Sequence, residues 1–222
     1  MISFAEIEAQ AAESAGGIDA LRARMPALKS ADELRSTPAD RYFSEMSFRI
    51  FAAGLNTAMV KGKWPAFETA FLGFVPQKVA FMNEDDVAGL MANDAIIRHL
   101  GKIRATVHNA AALIEVEKQE GSFGNYIASW PDSDLIGLYA DITARFKQLG
   151  GNSGPYFLRM MGRDGFILTP DVVRALTKIG VGEGKFTSKK DRAAVQAAFD
   201  RWHQESGRPY AHISRTLSIW PG

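Results

Sequence analysis

The sequence predicts a mostly α-helical protein. Apolar residues recur every three or four positions along most of its 222 residues, and no stretch of useful length alternates as a strand does. Polar caps precede many of these segments and glycines follow several of them, as at Ser3 and Gly16. With 46% hydrophobic and 23% charged residues, the chain has the composition of an ordinary globular domain with a real core.

The first half reads as a series of helices. Ser3 begins a helix that stops at Gly16 and Gly17, and Pro38 separates a short helix from a longer one over about 39–53, where Tyr42, Met46 and Ile50 share one face. A further helix is predicted over 65–71. Asn83 caps the next one, whose first turn carries three acids, and a long helical pattern interrupted near residue 101 covers 96–121.

The second half continues the same way. A helical pattern over 133–149 leads into a glycine-rich bend, and a helix over 155–163 leaves it. Thr169 caps the next helix, with Pro170 in its first turn and Gly180 as its stop. Two helical segments, 188–207 and 211–219, close the chain.

Composition excludes several kinds of site. The chain has no cysteine, so a disulfide framework, a thiolate metal site and a cysteine nucleophile are excluded. The N-terminal residues lack a basic-then-apolar leader, and no run approaches the roughly 18 apolar residues of a membrane helix. We therefore expect a soluble, cytoplasmic monomer that uses no metal, no cofactor and no membrane.

Charge is unevenly distributed along the chain. Residues 145–222 carry 13 Lys and Arg against 6 Asp and Glu, whereas residues 1–144 carry 13 against 19. A basic part beside an acidic part is typical of a surface that meets a polyanion such as nucleic acid. Chance unevenness is the alternative.

The stretch LGGNSGPYF, over 149–157, places three glycines within five residues between helical segments. Since each glycine inside a helix costs about 1 kcal/mol relative to alanine, three together indicate a purposeful break. A short glycine hairpin between two helices exposes main-chain N–H groups that can bind a phosphate oxygen. A C-cap and turn between packed helices explains the same residues equally well. The candidate phosphate contacts are Lys147, Gly150, Gly151, Asn152, Ser153 and Gly154.

The segment from Arg41 to Ala112 resembles the 3-methyladenine DNA glycosylase I family in order and spacing over about 70 residues. The matching residues are Ala53-Gly54-Leu55, Phe67, Phe71, Phe74, Pro76, Val79-Ala80, Met82, Asp86-Val87, Leu90, Ile96-Ile97-Arg98-His99, Lys102-Ile103, Ala105 and Asn109-Ala110. The hairpin and the following FILTPDVVRAL also look like the helix-hairpin-helix half of DNA glycosylases.

The resemblance implies an all-α, two-lobed helix-hairpin-helix DNA glycosylase-like fold. It further implies a base-excision-repair enzyme that binds duplex DNA containing a damaged base, extrudes that base and hydrolyses the glycosidic bond of an alkylated purine such as 3-methyladenine. We expect a single glycosylase-like domain over 1–222, with a divergent helical segment (1–38), a pocket lobe (39–144) and a basic helix-hairpin-helix part (145–222). A catalytically silent relative that still binds DNA, and a helical protein recruited to an unrelated ligand, are the alternatives.

The chain also departs from the family pattern. The zinc ion that family members hold through Cys and His near the termini has no cysteine ligands here. Arg49 stands where the family has a base-recognising glutamate, and Thr57 where it has a stacking tryptophan. Glu45, one turn before Arg49, is the candidate replacement carboxylate, although an exposed Glu45–Arg49 ion pair is the simpler interpretation. Asp171 is a second catalytic candidate, near the register in which other helix-hairpin-helix glycosylases carry an aspartate.

The remaining candidates come from the same comparison. Leu55 is the candidate wedge that fills the gap left by the extruded base, and a core position is its alternative. Two cationic clusters are candidate phosphate contacts or ordinary solvated faces: Arg98, His99 and Lys102, and Lys185, Lys189, Lys190 and Arg192. The predicted base pocket is Phe43, Phe48, Arg49, Asn56, Thr57 and Trp64, with core packing as the alternative for the aromatics and a helix cap for Asn56. No motif places a lysine for Schiff-base chemistry, so a monofunctional hydrolase is expected.

Overall fold

The computed structural model describes residues 2–222, which contain fourteen α-helices, two short 3₁₀ segments and no β-strand. The prediction of an all-α protein is confirmed. In chain order the helices are α1 (Phe4–Ala15), α2 (Ile18–Arg22), α3 (Ala31–Ser36), α4 (Ala39–Ala52), α5 (Thr57–Ala70), α6 (Pro76–Val79), α7 (Glu84–Ala92), α8 (Leu100–Glu120), α9 (Phe123–Ser129), α10 (Leu135–Arg145), α11 (Ser153–Met160), α12 (Pro170–Ile179), α13 (Lys189–Ser206) and α14 (Tyr210–Leu217).

The predicted helix ends are observed where local capping chemistry sets them. The Ser3 hydroxyl accepts from the N–H of Glu6, and the Thr169 hydroxyl accepts from the third residue of its helix. Asn83 forms a reciprocal capping box with Asp86 at the start of α7. These caps satisfy N–H groups that the first turn of a helix leaves without carbonyl partners.

Two predicted helices start elsewhere in the structure, and three short helices were not predicted. α5 begins at Thr57 and not near Pro65, because Asn56 caps it and Pro65 is accommodated inside the helix. α8 begins at Leu100, so residues 96–99 lie outside it and Gly101 falls in its first turn. The short helices α2, α6 and α9 were not predicted, because none of them is long enough to display a clear helical period.

The chain forms two compact units that interleave in sequence. The central unit comprises residues 29–129 and 139–161, and the terminal unit comprises residues 2–28, 130–138 and 162–222. The boundary between them falls inside α10. The glycine hairpin belongs to the central unit together with α4 and α5. The predicted division at residues 38 and 144 stays a prediction.

Aromatic side chains dominate the core of the central unit. Phe51 and Phe67 lie 4.6 Å apart between ring centroids, and Phe71 and Phe74 stack at 5.4 Å. All four rings are fully buried. Such packing fixes α4, α5 and the following 3₁₀ turn as one rigid layer.

The terminal unit is built from the two ends of the chain. The Trp202 indole N–H donates to the carbonyl of Ile2, and the Trp220 indole N–H donates to the Gln10 side chain at 2.8 Å. α1 packs against both α13 and α14. In the described part of the chain, every helix is too short or too polar to span a lipid bilayer.

Candidate functional site

The glycine hairpin lies between α10 and α11 and is closed by two hydrogen bonds. The N–H of Ser153 donates to the carbonyl of Gly150, and the N–H of Gly154 donates to the carbonyl of Leu149, both at 3.2 Å. Gly151 has φ +60°, a left-handed conformation that favours glycine. The turn is therefore tight and hydrogen-bonded from within.

The three glycines serve different purposes. Gly154 is buried, and a Cβ there would lie 3.1 Å from the Leu149 carbonyl oxygen and 3.2 Å from the Ile142 side chain. Gly150 and Gly151 are exposed, and within residues 2–222 neither of their N–H groups donates to another group. Two of the predicted main-chain donors are thus open to solvent, whereas the Ser153 and Gly154 amides are used inside the turn. Asn152, which lies between Gly151 and Ser153 in the chain, is half-buried.

Asn109 on α8 holds the start of this hairpin. Its side-chain oxygen accepts from the Lys147 N–H at 2.7 Å, and its side-chain nitrogen donates to the Lys147 carbonyl at 3.0 Å. Asn109 is fully buried, while the Lys147 side chain is exposed beside the open amides. A buried amide that makes both of its backbone hydrogen bonds fixes the local chain firmly.

A second exposed loop joins α4 to α5. Gly54 has φ +78°, and Leu55 projects with 41% of its surface exposed. Asn56 caps α5 by accepting from the Met59 N–H at 3.1 Å, so the cap interpretation of Asn56 holds in this structure. Thr57 is the exposed first residue of α5. The core alternative for Leu55 is excluded by its exposure.

Lys102 anchors this loop from beneath. Its ammonium group donates to the carbonyls of Phe51 at 3.1 Å and Ala53 at 2.8 Å, and 8% of the residue is exposed. Burial and the nearby Arg49 charge lower the pKa of Lys102. The predicted phosphate-contacting role of Lys102 is therefore wrong, since its donors are directed at the backbone. His99, the second member of that cluster, caps α8 by accepting from the Lys102 N–H.

Arg49 lies over an aromatic ring of the helix that follows the hairpin. Its guanidinium carbon is 4.5 Å from the centroid of Tyr156, a cation–π contact. The Arg49 Nε is buried without a hydrogen-bond partner. Among residues 2–222 Arg49 forms no ion pair with Glu45, so the exposed ion pair given above as the simpler interpretation is not observed. The aromatic ring, and not the carboxylate, holds the guanidinium.

Glu45 is half-buried on α4, one turn before Arg49. Burial raises the pKa of its carboxyl above the ordinary value. A carboxyl in this environment holds a proton more readily than an exposed one, which suits general acid–base chemistry. Glu45 thus remains the candidate carboxylate of the central unit.

The predicted pocket aromatics divide into core and partly exposed rings. Phe43 has no exposed surface and packs edge-on against Phe74 at 5.5 Å, which is the core packing given as its alternative. Its assignment to the base pocket stays a prediction. Phe48 is nearly buried and meets Trp64 edge-on at 5.0 Å. Trp64 is half-buried, stacks on Phe74 at 5.3 Å and donates its indole N–H to Ser44. Its ring is held rigidly in the aromatic layer.

The other predicted contacts belong to the terminal unit. Asp171 is exposed in the first turn of α12 and forms an ion pair with Arg174. Lys189 and Lys190 are the exposed first two residues of α13. Their roles in catalysis and DNA binding stay predictions.

The zinc ion implied by the family resemblance does not fit this chain. There is no cysteine, and residues 2–222 contain no cluster of three or more His, Asp or Glu side chains that would hold a metal. Nothing in the chemistry of the candidate site is therefore assigned to zinc.

Sequence reasoning missed the observed roles of three residues of the site: Lys102 was a candidate phosphate contact, and Asn109 and Tyr156 were assigned no role. Lys102 and Asn109 fall within the matched pattern, but the backbone atoms they hold lie 38 or more positions away in the chain. Tyr156 follows the hairpin and carried no signal other than its helical position. Together these three residues support two exposed loops and one unpaired guanidinium within the central unit. Such an arrangement offers main-chain donors, a projecting apolar side chain and a carboxyl group.

Comparison with known proteins identifies the family of the chain. Residues 34–147 match the family model described as methyladenine glycosylase. DNA-3-methyladenine glycosylase 1 of Escherichia coli is 34% identical over 94 residues, which are 42% of this chain and 50% of that protein. The chain therefore spans about half the length of the curated relatives it matches.

Solved structures extend the similarity to the fold. The 3-methyladenine DNA glycosylase I of Staphylococcus aureus is 28% identical with a TM-score of 0.50, over 56% of this chain and 76% of that one. An 8-oxoguanine DNA glycosylase of Methanocaldococcus jannaschii, 15% identical, shares the fold alone, with a TM-score of 0.52 over 98% of this chain and 91% of that one. The prediction of a helix-hairpin-helix DNA glycosylase-like fold is confirmed. The chain belongs to the methyladenine glycosylase family.

Proposed function

We propose that this protein is a monofunctional DNA glycosylase of base excision repair that removes an alkylated purine, such as 3-methyladenine, from duplex DNA. The observation that carries the proposal is the pair of exposed loops in the central unit. One loop presents the open amides of Gly150 and Gly151, and the other presents Leu55. Both are anchored to a single helix, α8.

Each loop has a distinct task in this proposal. The open amides bind a phosphate oxygen of the DNA backbone, with the Lys147 side chain adding positive charge. Leu55 enters the duplex and occupies the gap left by the extruded base. An apolar side chain that projects from a fixed loop can do this without first leaving a core.

Hydrolysis breaks the bond between C1′ of the sugar and N9 of the purine. The electron pair leaves with the base, which for a methylated purine is already cationic and needs no added proton. Water then bonds to C1′ and gives its proton to a carboxylate, for which Glu45 is the candidate. Asp171 is the second candidate, and no lysine participates.

The test is release of free base from methylated duplex DNA under single-turnover conditions with excess enzyme. We expect release of 3-methyladenine by the unaltered protein, and a loss of about a hundredfold or more in Glu45→Gln if that carboxylate is the base. The same measurement on Asp171→Asn decides between the two carboxylates. Complete absence of release at high enzyme excess removes the proposal.

The second candidate function is DNA binding without excision. The unpaired guanidinium of Arg49 favours it, since a fixed positive charge repels a cationic base. A silent binder would show affinity that falls linearly with the logarithm of salt concentration, with no base released. Absence of salt-sensitive binding to DNA would exclude this alternative.

A further inference from the structure

The guanidinium of Arg49 carries donors that the described chain does not use. Its Nε is buried and has no hydrogen-bond acceptor, carboxylate or other, among residues 2–222. Buried polar groups of folded proteins nearly always have a partner, and one without a partner requires an explanation. An arginine presents its donors as a planar fork that matches two acceptors side by side.

The surroundings of Arg49 are positively charged. Lys102 lies close enough for the two charges to act on one another, and its ammonium is bound by the carbonyls of Phe51 and Ala53, which do not neutralise it. Glu45, one turn away on α4, makes no ion pair with Arg49. A ligand beside Arg49 therefore meets two neighbouring positive charges, which disfavour a cationic base and favour an uncharged one with acceptor atoms.

Arg49 also lies between the two loops assigned to DNA. It is in the last turn of α4, directly before the loop that carries Leu55, and its partner Tyr156 is two residues beyond Gly154 of the hairpin. Contact with the Tyr156 ring holds the plane of the fork and limits the motion of a long side chain. The guanidinium is thus held close in the chain to both loops to which the proposed function assigns DNA contacts.

We propose that Arg49 is a specificity-determining residue that reads uncharged 6-oxopurine lesions, such as hypoxanthine, through their O6 and N7 acceptors. This inference rests on the proposed function and extends its substrates beyond methylated purines. Arginine paired with O6 and N7 is the commonest specific contact between a side chain and a guanine edge, and hypoxanthine has the same edge.

An uncharged leaving group needs a proton that a methylated purine does not. In the extended reaction the bond between C1′ and N9 breaks, and its electron pair goes to the purine. The Glu45 carboxyl gives its proton to the purine ring, and water bonds to C1′. The proton released by that water restores Glu45, so the products are neutral hypoxanthine and a sugar hydroxyl. Burial of Glu45, which raises the pKa of its carboxyl, helps it to keep the proton until it is needed.

The experiment compares the unaltered protein, Arg49→Lys and Arg49→Gln on three duplexes of one sequence. The duplexes carry hypoxanthine, 3-methyladenine or unmodified adenine at the same position. Arg104→Lys is the matched control, because Arg104 is an exposed arginine of the central unit paired with Glu84. Equilibrium affinity is measured over a range of salt, base release is measured in single turnover, and melting temperatures verify folding.

We expect the unaltered protein to favour the hypoxanthine duplex over the other two in affinity and in rate of release. Arg49→Lys keeps the charge and loses the fork, so the preference falls by about tenfold or more. Affinity for unmodified DNA stays within about twofold for this variant, and Arg104→Lys changes neither quantity. Each preference is a ratio between two duplexes measured with the same variant. A partial loss of folded protein lowers both values equally and does not change the ratio.

Two results would overturn the inference while leaving the proposed function intact. In the first, Arg49→Lys keeps the normal preference for the hypoxanthine duplex, and Arg49→Gln weakens binding to all three duplexes alike. A decrease of about one in the slope of log affinity against log salt in Arg49→Gln would then identify a phosphate contact. The second is release of 3-methyladenine alone. Conversely, a preference for hypoxanthine that depends on Arg49, with no base released from any duplex, supports the inference and removes the proposed catalysis.

Discussion

Lys102 and Asn109 lie seven residues apart on α8, about two helical turns, and each anchors one of the two exposed loops of the central unit. Residues at this spacing share a face of the helix. The distance between the loop that carries Leu55 and the glycine hairpin is therefore set by one rigid element. A site assembled in this way keeps its geometry without a bound ligand.

Asn109→Ala should loosen the hairpin. The substitution removes both hydrogen bonds to the Lys147 backbone and leaves a partly buried N–H and carbonyl without partners, at a cost of about 1–3 kcal/mol in the free energy of unfolding. Chemical denaturation measures that cost, and DNA affinity should fall with it. His108→Ala, at the neighbouring exposed position, is the control. Equal stability of the two variants would contradict the anchoring role.

Lys102→Met should disturb the other loop. Methionine fills much of the same volume, but the carbonyls of Phe51 and Ala53 lose their donor, so we expect a loss of about 1–3 kcal/mol in stability. Base release should fall more than DNA affinity, because Leu55 is displaced while the hairpin is intact. Lys61→Met, at an exposed position of α5, should change neither. Unaltered single-turnover rates in Lys102→Met would show that the loop keeps its conformation without the Lys102 hydrogen bonds.

Substitutions of Gly150 and Gly154 should separate binding from folding. Alanine at Gly154 brings a Cβ within 3.1 Å of a backbone oxygen, so the melting temperature should fall. Valine at Gly150 meets open space apart from an ordinary contact with Thr143, so the fold should survive while the branched side chain hinders approach to the open amides. Thermal melting and salt-dependent DNA binding measure the two effects. Normal DNA binding by Gly150→Val would count against the phosphate contact.

Glu45→Gln should stabilise the protein at high pH. Burial raises the pKa of the folded-state carboxyl, so the folded protein binds this proton more tightly than the unfolded chain does. Stability therefore falls as pH rises from the pKa of the unfolded chain through the pKa of the folded protein. Above the folded-state pKa the full cost of burying the ionised carboxylate is present. Glutamine carries no charge and avoids that penalty. Relative to the unaltered protein, the variant should melt higher at about pH 8 and no higher at about pH 4. Glu13→Gln, at an exposed position, should show no such difference.

Sequence reasoning succeeded where a feature is local. The caps at Ser3, Asn83 and Thr169 depend on residues within one turn of the helix and were predicted correctly. The start of α5 was missed: the predicted helix began at Pro65, whereas Asn56 supplies the cap and the helix begins at Thr57.

The anchors of the site depend on partners that are distant in the chain. The Lys102 ammonium finds its acceptors 49 and 51 residues earlier, and Asn109 finds Lys147 38 residues later. A cluster of cations in sequence gave no sign that one of them is buried under a loop. Arg49 was singled out by position, but its contact with Tyr156 could be found only once α4 and α11 were seen to pack together.

The order of segments in the two units has a consequence for synthesis of the protein. α1 is translated before the other thirteen helices described here, yet its packing partners α13 and α14 are the last two of the fourteen to be made. Three apolar residues of the amino-terminal segment are buried in the folded protein: Phe4, Ile7 and Leu21. At typical elongation rates, roughly 10–40 s pass between their synthesis and that of α13 and α14. All residues of the central unit have been synthesised once residue 161 is added, so its core can form before α13 and α14 are made. Nascent chains stalled after residue 161 should therefore contain a folded central unit and an amino-terminal segment whose apolar residues are exposed. Chaperones bind exposed apolar segments of this kind.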